Sequence, residues 1–186
     1  MNSQSIPISI INPDAPAESL EAKQPAIDNG ALIYGKEGYF SPEQMTREWQ
    51  KIWTQSWLIA GVSSDLQKPG DYFLFRVRSE SIIITKTDAG VKAFYNVCPH
   101  RGARLLTEER GRRRNFVCPF HSWSFRNNGE LRTITDEETF QKEVISHRPG
   151  LTPVVCEELA GLIFISMADN PTSLKEAIGL PEGYLE

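Results

Sequence analysis

The sequence predicts a mostly β chain, an antiparallel sandwich or small barrel preceded by one amphipathic helix. Three observations predict it. From Trp57 onward apolar residues alternate with polar ones, the runs rich in Ile, Val, Phe and Tyr are separated by hairpin-type turns, and no long helical pattern interrupts them. A parallel sheet would need crossover helices between its strands, so antiparallel pairing is preferred.

The chain has 186 residues, the size of one domain with an appendage. Its 40% hydrophobic and 24% charged content is ordinary globular composition and excludes collagen, coiled coil and wholesale disorder. Apolar runs such as Trp57 to Val62 and Gly161 to Ile165 are far too short to span a membrane. No basic residue precedes Lys23, so the charged head of a secretory signal is missing and a cytoplasmic location is expected. With 20 basic against 24 acidic residues the net charge is -4, which argues against nucleic acid as a partner. Three cysteines are too few and too odd in number for a disulfide framework.

Residues 1–40 carry Pro7, Pro13, Pro16 and Pro25 and little periodicity, and read as an arm. Ser41-Pro42-Glu43-Gln44 then signals a helix start, with Ser41 as cap, Pro42 at the first helical position and Gln44 completing a capping box. Met45, Trp49, Ile52 and Trp53 follow at helical spacing and are expected to pack into the core. Phe73, Phe75 and Val77 alternate with Leu74, Arg76 and Arg78, as in a half-buried strand. Ser79-Glu80 and Asp88-Ala89-Gly90 read as turns around the strands Ser81 to Lys86 and Val91 to Val97. Asn128-Gly129 is the strongest hairpin signal, between Trp123 to Phe125 and Leu131 to Ile134. Thr152 to Cys156 and Leu162 to Met167 supply a closing pair of strands.

Between the strands lie Cys98-Pro99-His100-Arg101-Gly102 and Cys118-Pro119-Phe120-His121-Ser122-Trp123. Each loop offers one sulfur and one nitrogen donor. Such a set admits a tetrahedral zinc site or an iron-sulfur centre. Zinc modules usually draw a Cys-x-x-Cys pair from one loop, whereas a Rieske [2Fe-2S] centre needs two thiolates on one iron and two imidazoles on the other. The mixed order, Cys-x-His then Cys-x-x-His, suits the dinuclear cluster.

CPHRGARLL followed by CPFHSW resembles the Rieske motif of ring-hydroxylating oxygenase large subunits, through Cys98, His100, Arg101, Gly102, Cys118, His121 and Trp123. The resemblance extends from about Trp49 to Met167, and Ser122 stands where Gly is commoner in the family. It implies a Rieske-type β fold with two cluster-binding loops. It also implies that Cys98 and Cys118 bind one iron and His100 and His121 the other, with both histidines facing outward. Trp123, Arg101 and Gly102 then flank the ligands as aromatic cover, a polar brace for the loop and a backbone position free of side-chain sterics, with plain loop packing as the alternative. High-potential Rieske proteins carry a serine and a tyrosine at the positions of Trp123 and Phe125, and disulfide cysteines at those of Ala103 and Phe120. Without those hydroxyls the potential is expected at the low end of the range of roughly -150 to +300 mV.

The same family implies a reductase or ferredoxin as electron donor, a trimer of large subunits, and a mononuclear Fe(II) in a further catalytic domain. That iron takes two histidines and a carboxylate. The only histidine outside the motif is His147, so this chain is not expected to be a complete oxygenase. The expected organisation is an arm at 1–40, a Rieske domain with its leading helix at 41–170, and the start of a linker at 171–186. The function expected is electron transfer within an aromatic-ring-hydroxylating type of oxygenase. The alternatives are a freestanding Rieske ferredoxin and, further off, a structural zinc module. Cys156 reads as a buried structural cysteine, His147 as a solvated turn residue. The arginines Arg110, Arg112, Arg113 and Arg114 read as a solvated loop or as a docking surface for an acidic redox partner.

Overall fold

The computed structural model describes residues 37–146 and 150–179. The chain divides into two units, Met1–Ser41 and Pro42–Glu186. Of the first, residues 37–41 lie among the described ones, with a short helix, α1 (Glu37–Phe40). The expected arm therefore falls largely outside them, as does His147.

The second unit opens with α2 (Pro42–Glu48), which begins at the proline and passes into a π-helical turn, Trp49–Trp53. The apolar stripe on this segment does not enter the core. Met45 is 48% exposed, Ile52 52% and Trp53 40%, and no residue of α2 or the turn is buried. The π turn changes the residue spacing at the point where the stripe should continue, and the Trp49 ring meets a guanidinium, Arg78, 5.4 Å from its centroid.

Among the described residues ten strands follow: β1 (Trp57–Val62), β2 (Asp71–Val77), β3 (Glu80–Thr87), β4 (Gly90–Tyr95), β5 (Arg110–Arg112), β6 (Asn115–Val117), β7 (Ser124–Arg126), β8 (Leu131–Thr133), β9 (Pro153–Leu159) and β10 (Leu162–Ser166). Seven form one sheet in the order β1-β10-β9-β4-β3-β2-β5, and three form a second, β6-β7-β8. Every pairing is antiparallel. Short helices α3 (Lys142–Ser146) and α4 (Leu174–Ile178) accompany the sheets.

The central strands are covered on both faces. Tyr72, Leu74, Ile83 and Phe94 point into one core, which also holds Phe116, Trp123 and Phe125 of the small sheet's region. Phe73, Ile82, Ile84 and Ala93 point into the other, against Val154, Ile163 and Ile165. Each such aliphatic or aromatic side chain contributes about 1.5–3 kcal/mol by leaving water. Two covered faces also correct the expected alternation in β2: Tyr72, Phe73 and Leu74 are all buried, and polar residues take over only towards Arg76.

The Asn128-Gly129 hairpin forms as expected. Gly129 sits at φ 90° and its N–H donates to Arg126 O at 2.9 Å, while Arg126 N donates to Glu130 O at 2.8 Å. A side chain at Gly129 would also collide with the Phe94 ring, so this glycine joins the small sheet to the large one. Leu151 N donates to Gly129 O at 2.8 Å on the other side.

Beyond 171 the chain carries α4, capped reciprocally by Ser173 and Glu176, with Leu174 buried and Trp57 Nε1 donating to Thr172 O at 2.9 Å. Among the described residues no helix is long and apolar enough to cross a membrane.

Candidate metal centre

Two loops between strands build the site, and they share one backbone device. In the first, Cys98 N donates to Ala103 O at 2.8 Å and Gly102 N to Cys98 O at 2.9 Å. In the second, Cys118 N donates to Trp123 O at 2.8 Å and Ser122 N to Cys118 O at 3.0 Å. Both turns close through a residue with positive φ, Gly102 at 73° and Ser122 at 56°. The position where the family commonly has Gly is thus one where the backbone is left-handed, and Ser122 accepts that strain.

The first loop is held from beneath by Asn96, which is 3% exposed. Its amide donates to Ser81 Oγ at 3.1 Å and Leu106 O at 2.7 Å. Its carbonyl accepts from Leu105 N at 3.2 Å and Leu106 N at 2.9 Å. The segments entering and leaving the loop are therefore joined through one side chain.

The four expected ligands arrive as two pairs. Cys98 and Cys118 are both buried free thiols, and Cys118 stands near enough to Cys98 to push its thiol up. His100 and His121 are half-buried, their ring centroids 4.8 Å apart. Burial, and then the neighbouring Cys118, push the Cys98 thiol up, while backbone hydrogen bonds from His100 and Arg101 pull it down. Two adjacent buried thiols ionise together only if a metal cation supplies the opposing charge. His121 Nδ1 is buried and has no hydrogen-bond partner, the condition of a nitrogen reserved for a metal. Paired sulfurs and paired imidazoles match the division of donors in a [2Fe-2S] Rieske centre.

Aromatic rings surround the imidazoles. His100 lies on Trp123, with centroids 4.4 Å apart and planes 6° from parallel. Phe140 stands nearly perpendicular to both, its centroid 6.4 Å from that of His100 and 6.1 Å from that of Trp123. Phe120 packs on His121 at 4.0 Å and carries the Arg101 guanidinium over its ring at 5.3 Å. Arg101 therefore reaches across from the first loop to the second, at the residue where respiratory relatives place a disulfide cysteine. Three contributors were not singled out from sequence: Asn96, Phe120 as cover, and Phe140. Asn96 stands two residues before Cys98 at a strand end, which is the one local signal available.

The other groups fall outside the site. Cys156 is half-buried and burial pushes its thiol up to about 12, so it stays protonated and packs against the second core. Of the arginine run, Arg110 pairs with Asp65 at 2.9 Å, Arg112 with Asp71 at 2.6 Å and Arg113 with Glu108 at 2.9 Å. Three of the four charges are thus answered within the chain, which weakens the docking reading for them.

Comparison with known proteins agrees with this geometry. Residues 56–147 match the family model of the Rieske [2Fe-2S] domain. The carnitine monooxygenase oxygenase subunit of Acinetobacter baumannii is 36% identical over 153 residues, covering 80% of this chain and 40% of that protein. The large oxygenase component of the naphthalene 1,2-dioxygenase system of Pseudomonas aeruginosa is 34% identical over 158 residues, covering 83% of this chain and 34% of that protein. A solved quaternary ammonium Rieske monooxygenase in complex with γ-butyrobetaine superposes with a TM-score of 0.70 at 32% identity, covering 82% of this chain and 43% of that one. The chain spans about 40% of the length of such relatives. Through residues 56–147 the chain belongs to the Rieske [2Fe-2S] domain family, in the form found in Rieske oxygenase large subunits.

Proposed function

We propose that Cys98 and Cys118 bind one iron of the cluster and His100 and His121 the other, through neutral imidazole, with the added electron on the histidine-bound iron. The observation that carries this is the pairing itself: buried sulfurs together, half-buried imidazoles together, and His121 Nδ1 without a protein partner. A bound cluster of this kind takes up and releases one electron at a time. The chain's own residues hold and shield it. The amides of His100 and Arg101 stabilise negative charge on the Cys98 sulfur, while Trp123 and Phe140 keep water from the His100 face. Trp123 and Phe125 supply no hydroxyl, so the midpoint potential falls below about 0 mV.

In the whole protein the chain serves as the amino-terminal domain of an oxygenase subunit, with an arm at 1–40, the cluster domain at 41–170 and a linker starting at 171. It takes electrons from a reductase or ferredoxin and passes them to a mononuclear iron held by a region outside this sequence, in an adjacent subunit of a trimer. The likeness to oxygenase subunits over most of this chain supports that role above the freestanding ferredoxin. The test is iron and acid-labile sulfide analysis of anaerobically purified protein. Two irons and two sulfides per chain, lost together in Cys98→Ser and His121→Ala, support the assignment; zinc without sulfide overturns it.

A further inference from the structure

We infer that a cleft at the end of the small sheet remote from the cluster loops binds a small multivalent oxyanion, of the phosphate or polycarboxylate class. The cleft has a volume of about 450 Å³ and is lined by three guanidinium-bearing residues, Arg114, Arg126 and Arg132, against a single carboxylate, Asp88. It lies where Asn115 pairs with Arg126, while the opposite end of the same ladder, Val117 with Ser124, abuts the second cluster loop.

The arginines of this cleft hold no carboxylate, a state they share among the described residues with Arg47, Arg78, Arg101 and Arg104, and here three of them line one cavity. Arg76, Arg110, Arg112 and Arg113 each hold a carboxylate within 2.6 to 2.9 Å. Among the described residues none of Arg114, Arg126 and Arg132 has an ion pair or a side-chain hydrogen bond. A chain with net charge -4 thus keeps three like charges around one concavity. Like charges repel, and an anion between them converts that repulsion into charge-assisted hydrogen bonds, for which the planar fork of arginine suits phosphate and carboxylate oxygens.

The walls are fixed rather than assembled by chance. Asn127 Nδ2 donates to Lys86 O at 3.0 Å and Asn127 N donates to Arg114 O at 3.0 Å, tying the β7–β8 hairpin both to the end of β3 and to the entrance of β6. The β3–β4 turn is locked by Thr87, whose hydroxyl donates to Gly90 O at 2.7 Å and accepts from Ala89 N at 3.1 Å. A concave site of this volume accommodates a small molecule, whereas a protein docks on a broader, flatter face.

The test is calorimetric titration of the cluster-loaded protein with tripolyphosphate and with citrate, against sodium chloride at matched ionic strength. Saturable binding at one site per chain is expected, weakened about tenfold or more by Arg126→Gln or Arg132→Gln and tightened by Asp88→Asn. The cluster's visible absorption should be unchanged in all three variants, which reports that they fold. Asp88 is exposed, so Asp88→Asn keeps the test open if an arginine variant fails to fold. Heats no larger than those of the salt control, or affinities unmoved by all three substitutions, would overturn the inference. So would an Arg126→Gln, Arg132→Gln pair that alters only the salt dependence of reduction by an acidic donor protein, which would make the cleft a protein-docking face.

Discussion

The imidazole of His100 lies flat on the indole of Trp123, 4.4 Å between centroids and 6° between planes. His100 belongs to the first cluster loop and Trp123 closes the second, so the stack crosses from one to the other. With the Arg101–Phe120 contact at 5.3 Å it joins loops that have no disulfide between them. A reducing compartment cannot break such a contact, because it depends on packing rather than on a sulfur–sulfur bond.

Trp123 is 1% exposed, so its truncation leaves a cavity beside the ligand pair. Trp123→Ala should cost about 3–5 kcal/mol and lower the cluster content of the purified protein, whereas Trp123→Phe should retain most of both. Denaturant unfolding with parallel iron analysis measures the two effects.

The equivalent turns of the two loops predict opposite effects from adding a Cβ at one and removing it at the other. Gly102→Ala has open space around its new Cβ, so its cost is the left-handed backbone alone, about 1 kcal/mol. Ser122→Gly removes that same strain and should stabilise the protein by up to about 1 kcal/mol. Equal signs for the two variants in thermal unfolding would contradict the equivalence.

Asn96 satisfies the backbone on both sides of the first loop, and cutting its side chain strands Leu106 O and two N–H groups. Asn96→Ala should therefore destabilise by about 2–4 kcal/mol and speed cluster loss on dilution. The decay of visible absorption at equal protein concentration reports this, and a rate equal to the parent's would count against the brace.

The hydrogen bond from Arg112 holds the Asp71 carboxyl below its usual 3.8, and Lys68 N adds a second bond to it. Because the folded value is the lower one, the contribution to stability is present above the unfolded value and is lost as pH falls through the folded value. Arg112→Gln should accordingly begin acid unfolding at higher pH than the parent, read by circular dichroism. Coincident acid profiles would show that the pair contributes nothing.

The sequence discloses what is local and conceals what depends on distant partners. The Asn128-Gly129 hairpin is local, determined by a few neighbouring residues, and forms as read; the segments at Cys98 and Cys118 likewise stand as loops between strands, where the sequence places them. The helix stripe Met45, Trp49, Ile52 and Trp53 has correct apolar spacing, but spacing cannot say whether anything lies opposite it, and these side chains remain exposed or half-buried. β2 reads as half-buried although the small sheet and β9–β10 lie on opposite faces of it, a fact set by contacts many residues away. The arginine run reads as a solvated loop or a docking surface because its partners lie far off in sequence, Asp71 being set opposite Arg112 by the β2–β5 pairing and Asp65 meeting Arg110 from the turn before β2. Phe140 sits in a polar stretch with no period and reaches His100 only through the fold.

Pulsed electron paramagnetic resonance of the dithionite-reduced protein tests the central assignment most directly. A paramagnetic signal coupled to two histidine nitrogens is expected, with one coupling lost on replacing His100 or His121 by Cys. A silent sample, or a signal with no nitrogen coupling, would contradict it.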